Sequence, residues 1–183
     1  MRFRPRSSYK RMPWKNGLGV TEEIEIFPPA ADFAKGAFGW RLSSATVSAD
    51  GPFSNFPGCD RLLAIVSGEG LKLNEEKLAG DQVARFPGEK AIEGRLLSGP
   101  VVDLGLIYKR DEFIAMMEFR EFGPGTHALP YAGVKNFIVV CSGELRAGGH
   151  SLSALDSLEI DGTGEIVVDG EAEIFLVEIT PIK

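Results

Sequence analysis

Trp14, Lys15 and Asn16 stand in succession before Gly17, in the stretch "YKRMPWKNGLGVTEEI" that covers residues 9–24. Surface loops seldom gather a large ring, a cation and an amide on backbone this flexible. Lysine brings a compact charge, asparagine both a donor and an acceptor, and tryptophan a flat apolar surface. Gly17 and Gly19 let the backbone approach a guest closely or expose amide N–H groups at positive φ. Together these groups suit a small planar carboxylate. The competing structural reading is a turn in which Trp14 plugs the end of a β-barrel and Lys15 sits in solvent.

The following segments extend the same chemistry. In "GVTEEIEIF" a period of two puts Thr21, Glu23 and Glu25 on one face and Val20, Glu22, Ile24 and Ile26 on the other. The polar face belongs either to solvent or to a polar pocket. In "WRLSSATV", Arg41, Ser43, Ala45 and Val47 alternate on one face. Small residues there leave room beside a guanidinium that can grip a carboxylate through two parallel hydrogen bonds. An exposed edge, with Trp40 and Leu42 turned to the core, is the alternative. "GPFSNFPGCDR" brings Phe53 and Phe56 near Asp60 and Arg61. Arg61 is expected inward, on the side of Leu63 and Ile65, where a cation on an apolar face needs an anion. That anion is either a structural partner such as Glu23 or a ligand. Asp103 interrupts the apolar run "VVDLGLI" and needs a cation such as Lys15 or Arg41, unless it faces outward at an edge. Cys59 has no nearby histidine in sequence to activate it as a nucleophile, and His127 reads as a loop residue.

The elements that must position these residues read as all-β. Short runs such as "RLLAIV", "VARF", "VVDLGLIY", "NFIVVC" and "EIFLVEI" are separated by turn signals drawn from 22 glycines and 11 prolines. "RDEFIAMMEF" fits a helix or a strand equally well. "AIVSGE" (64–69) and "VVCSGE" (139–144) match at an offset of 75 residues, and Asp81 falls on Asp156 at the same offset. An internal duplication of two β-units explains this pattern. The net charge of −6 argues against a nucleic-acid binder, and the basic N-terminus, Arg2 to Lys15, reads as a solvated arm rather than a phosphate or membrane contact. Cys59 and Cys141 read as free thiols in a reducing compartment. No apolar run approaches the length of a membrane span or a signal peptide, so a cytoplasmic location is the default expectation.

The succession "VSGEG", "AGDQV", "FPGEK" resembles the cupin barrel. Cupins normally gather histidines and a glutamate around a metal, but this chain has no His-x-His, and His127 and His150 both lie in its second half. No metal and no cofactor are therefore expected. "MPWKNGLGVTEEI", "WRLSSATVSADGPFSNFPGCDR" and "LLSGPVVDLGLIYKR" together resemble the HutD/Ves family of two-barrel cupins, associated with bacterial histidine utilisation. The chain departs from the family pattern at Leu18 and Gly105.

The resemblance implies two tandem cupin-type β-barrels of the RmlC-like jelly-roll kind, packed as one compact bicupin. The ligand-holding barrel would span 1–110 and a smaller barrel 111–183. It also tips the opening motif towards a ligand site. The implied function is binding of a small carboxylate, such as urocanate or a formylated intermediate, that modulates histidine utilisation. Lys15, Arg41 and Arg61 would hold the carboxylate, and Trp14 or Phe56 would cover a planar ring. Asn16, Thr21 and Glu23 would orient the guest, with Ser43 and Asp103 beside it. A homodimer through sheet edges is compatible with this reading. The rival is a metal-independent isomerase or hydrolase with Glu23 or Asp103 as base, although a carboxylate beside several cations is too acidic for that work. A third reading is a stress-related interaction protein without a ligand.

Overall fold

A computed structural model of the chain describes residues 1–14, 17 and 19–182. It divides into two compact units, Tyr9–Phe113 and a second made of Met1–Ser8 with Ile114–Lys183. The first eight residues thus belong with the second unit, not with the first as the sequence suggested. The reason is local pairing: Arg2–Arg4 forms a strand antiparallel to Ser157–Asp161, with Phe3 opposite Leu158. Arg4 Nη2 lies 2.7 Å from Glu159 Oε2, and both side chains are largely buried. The basic arm is therefore not simply solvated.

In the first unit, six strands make an antiparallel sheet in the order Lys10–Pro13, Gly19–Phe27, Trp40–Val47, Val101–Lys109, Cys59–Ser67 and Val83–Pro87. A smaller sheet runs Gly51–Pro52, Glu93–Leu96, Leu71–Leu73 and Glu76–Leu78. One apolar cluster joins them, with Val47, Leu63, Ile65, Phe86 and Val101 from the first meeting Leu71, Leu73 and Leu78 from the second. The β-branched and leucine residues at every second position make such a face, as the sequence pattern implies. The alternation breaks once. A register shift between Glu23 and Glu25 accommodates Ile24 and brings Ile26 opposite Arg41. Ile26, expected away from Glu23, thus joins its face, and Glu25 pairs instead with Leu42.

The second unit is a seven-stranded sheet built on the long strands Lys135–Ala147 and Gly164–Pro181. Its core includes Leu129, Ile138, Val140, Leu145, Leu158, Val168, Ile174 and Leu176. The ambiguous segment is a strand, Phe113–Phe122.

The duplication reappears as strand pairing. Asp60 to Ala64 pair with Pro87 to Val83, and Lys135 to Val139 pair with Asp161 to Ser157, in the same antiparallel sense. A bulge recurs at the same place: the ladder passes over Val66 between Ile65 and Ser67, and over Cys141 between Val140 and Ser142. In this correspondence Arg61 matches Asn136, Asp103 matches Ile174 and Gly105 matches Leu176.

Candidate functional site

Register lines up the singled-out residues of the six-stranded sheet in successive rows. Met12, Thr21, Ala45, Asp103 and Ile65 form one row. Lys10, Glu23, Ser43, Gly105 and Leu63 form the next, and Ile26, Arg41, Ile107, Arg61 and Phe86 a third. Because directly paired residues point to the same face, Thr21, Glu23, Arg41, Ser43, Arg61 and Asp103 all share one face. Alternation in the sequence puts Thr21 with Glu23 and Arg41 with Ser43 and favours Arg61 inward, but leaves Asp103 inward or at an edge and does not say which of them touch.

Two arginines define the chemistry, and their surroundings differ. Arg41 is 6% exposed, and its Nε donates to Glu23 Oε2 at 2.7 Å. Its guanidinium carbon lies 4.0 Å from the centre of the Phe33 ring, and Nη2 approaches the Met12 sulfur at 3.8 Å. Burial pulls its pKa down, and the bond and charge of Glu23 oppose that. Glu23 thus belongs to Arg41 and is not the partner of Arg61.

Arg61 is 9% exposed, and its Nη1 donates to the backbone oxygen of Ser54 at 3.1 Å. Phe53, Phe86 and Phe56 surround the guanidinium, with ring centres 5.0, 5.2 and 5.5 Å away. Among the described residues, no carboxylate stands in ion-pair contact with it. Burial lowers its pKa to about 10, against the more distant pull of Asp103. Asp103 is 6% exposed and accepts the Ala45 N–H at 3.1 Å through Oδ1. Burial pushes it up to about 7, with the charge of Arg61 and the Ala45 bond pulling the other way. Its electrostatic partner is therefore Arg61 rather than Arg41.

The remaining candidates frame this face. Trp14 Nε1 donates to Thr21 Oγ1 at 2.9 Å, and its ring packs on the apolar cluster between the sheets. A Cβ on Gly19 would lie 2.8 Å from Trp14 Cε3 and 2.6 Å from Thr46 O, so only glycine lets the ring seat there. Phe56 packs with Phe33 and lies over Arg61, and Ser43 is half-buried. Lys15 and Asn16 lie outside the described residues. A groove of about 290 Å³ borders Phe53, with Asn55, Asn74 and Ile92 among its walls, but holds none of Arg41, Arg61 or Asp103. Met12, Phe33 and Phe86 were not singled out by sequence. The place of Phe86 follows only from its register opposite Arg61.

The donor set does not suit a metal. Glu23 and Asp103 are the carboxylates singled out on the face, Glu23 is bonded to Arg41, and no described group of three His, Cys, Asp or Glu side chains is placed to hold one. Both histidines lie in the second unit, His127 bonded to Gly123 O and His150 stacked on Phe3. No helix among the described residues is long and apolar enough to cross a membrane.

Comparison with known proteins agrees with this architecture. The HutD family model matches residues 6–176. An uncharacterised 21.2 kDa protein from the hutC 3′ region of Pseudomonas putida is 31% identical over 93% of each chain. Protein Ves from Citrobacter koseri is 34% identical over 56% of each. Among solved structures, HutD from Pseudomonas fluorescens SBW25, in a formate condition, superposes with a TM-score of 0.82 at 30% identity, covering 100% of this chain and 99% of that one. The nickel complex of the bacterial pirin YhhW from Escherichia coli (TM-score 0.70, 12% identity, 99% of each chain) shares the fold alone. So does a cupin 2 conserved barrel domain protein from Leptotrichia buccalis (0.55, 11%, 94% of this chain and 96% of that one). The fold is of cupin type.

Proposed function

Because the chain belongs to the HutD family, we propose that it binds a small carboxylate metabolite, such as urocanate or a formylated intermediate, and modulates histidine utilisation without catalysing a reaction. Arg61 carries the reading. Its guanidinium is buried among three aromatic rings with one neutral backbone acceptor and, among the described residues, no carboxylate in contact. A desolvated cation in that state is stabilised by an anion that arrives from outside. Phe53, Phe56 and Phe86 supply flat surfaces for a planar guest. Trp14, Thr21, Ser43 and Asp103 border the same face, and Lys15 and Asn16 follow Trp14 in the chain.

The second unit supports this by contrast. Asn136, the counterpart of Arg61, bonds its side chain to Gly133, Ile160 and Gly162 backbone, and Ile174 and Leu176 stand where Asp103 and Gly105 do. We therefore assign the ligand to the first unit and read the two units as the halves of a bicupin. The link to histidine utilisation rests on the family and on the hutC-region relative.

Isothermal titration with urocanate, N-formylglutamate and formate tests the reading. At least one should give saturable heat, and Arg61→Gln should weaken it tenfold or more, the effect of losing a charge-assisted hydrogen bond of about 1.5–3 kcal/mol. Absence of heat with all three would remove its support. A catalytic reading has one feature in its favour: burial pushes Asp103 up to about 7, near the range where a general base works best. Turnover of urocanate that disappears in Asp103→Asn would establish it.

A further inference from the structure

We infer that the first unit takes up an anionic guest at Arg61 together with one proton, which lodges on Asp103. The inference rests on the carboxylate-binding reading and specifies how that binding is regulated. Its basis is a charge balance. Four described charged side chains lie buried or nearly so on this face. Arg41 and Glu23 neutralise each other at 2.7 Å. Arg61 and Asp103 are the other two, one cation and one anion without direct contact. A carboxylate that docks on Arg61 therefore leaves the face with one uncompensated negative charge, away from water, where such a charge is costly.

The surroundings of Asp103 offer little other relief. Ala45 N–H is already bonded to Oδ1. Thr21, in the same row, stands two strands away with Ala45 between, and no described bond joins it to Asp103. Lys10 stands at the sheet edge opposite Glu23 and is exposed. The facing sheet adds Leu71, Leu73 and Leu78 to the shared core. The chemistry that remains is protonation of Asp103. Its free oxygen then becomes an O–H donor to the guest, and the net buried charge stays at zero. No bond to carbon forms or breaks, and solvent supplies the proton. Burial already holds Asp103 at about 7, so the proton is available in the neutral range.

Calorimetry reads the coupling directly. Titrations of urocanate, and of formate as a probe with no other group titrating near neutrality, are run at pH 8 in phosphate and in Tris. These buffers differ in ionisation enthalpy, so the difference in heat counts the protons exchanged. Uptake should approach one proton per bound guest at pH 8 and fall away below pH 6.5. Affinity should weaken about tenfold per pH unit above neutrality. Asp103→Asn, with its fold checked by circular dichroism, should bind without uptake and with a flat pH profile. Binding without proton uptake by the unaltered chain would overturn the inference and leave carboxylate binding standing. Undiminished uptake in Asp103→Asn would overturn it too. No heat with either probe, nor with N-formylglutamate, would take both readings down together.

Discussion

Arg41 Nε and Glu23 Oε2 meet at 2.7 Å across adjoining strands, with side chains 7% and 12% exposed. Their backbones are not directly paired: Glu23 lies opposite Ser43 and Arg41 opposite Ile26. Glu23 opposite Ser43 sets this diagonal, and the register shift that follows puts Ile26 rather than Glu25 opposite Arg41. This closed pair separates the two arginines by role. Arg41 is an internal support whose charge is answered, while Arg61 faces the same side with its charge answered only at a distance. On the proposed binding reading, the difference makes Arg61 the arginine that a guest anion would meet as an open cation.

The pair also makes a stability prediction. Glu23→Ala leaves Arg41 buried beside Phe33 and Met12 without its anion, which costs about 3 kcal/mol or more for a buried pair broken on one side. Urea denaturation should show a lower midpoint with an unchanged slope. Replacing both residues, Glu23→Leu with Arg41→Met, should recover a substantial part of the loss, because no uncompensated charge is left.

Gly105 tests whether open volume matters. Its added Cβ would sit 3.7 Å from Leu63 Cδ1 and 4.0 Å from Ser43 O, ordinary contact distances, so the backbone accepts a Cβ there. Gly105→Leu reproduces what the second unit has at Leu176 and places the new side chain on the face of Ser43 and Leu63, between the rows of Asp103 and Arg61. Ligand heat should vanish while the thermal midpoint stays within a few degrees.

Faces were legible in the sequence and partners were not. Alternation alone put Arg41 with Ser43 and Ala45, and Arg61 with Leu63 and Ile65, because a strand repeats every two residues. Pairing needed strand order. Val101–Lys109 inserts between Trp40–Val47 and Cys59–Ser67, and that neighbour relation is set by folding, not spacing. Hence Arg61 with Glu23 was a natural expectation, whereas Arg41 holds Glu23. The Ile24 bulge was hidden because it breaks the periodicity on which the reading relies. The N-terminal strand was masked by its charges: "RFR" reads as a basic arm until Glu159, far along the chain, supplies the partner.

Asp103 predicts a pH dependence of stability. Its folded pKa of about 7 lies above the ordinary value of 3.8, so between these values the folded state holds more protons than the unfolded state. Stability must then fall as pH rises through that window and level off above it. Three pKa units correspond to at most about 4 kcal/mol. In Asp103→Asn this component disappears, so its denaturation midpoint should change less between pH 5 and pH 8 than that of the unaltered chain. An equal change in both would show that Asp103 does not titrate in this range.

Gly88 and Gly94 hold the aromatic segment over Arg61, and they should fail differently. A Cβ on Gly94 would lie 2.6 Å from Phe53 Cε2, the far end of a side chain that can turn aside. A Cβ on Gly88 would lie 2.3 Å from the backbone oxygen of Phe56, which also accepts no easy shift because Phe56 N donates to Gly88 O. Gly94→Ala should therefore keep the fold, move the Phe53 ring off the guanidinium and weaken ligand binding several-fold. Gly88→Ala should instead lower stability by about 1–3 kcal/mol, in the range of other overpacked sites. Thermal unfolding and titration of the two variants side by side check the contrast. If Gly94→Ala bound as tightly as the unaltered chain, stacking of Phe53 on Arg61 would have no part in recognition.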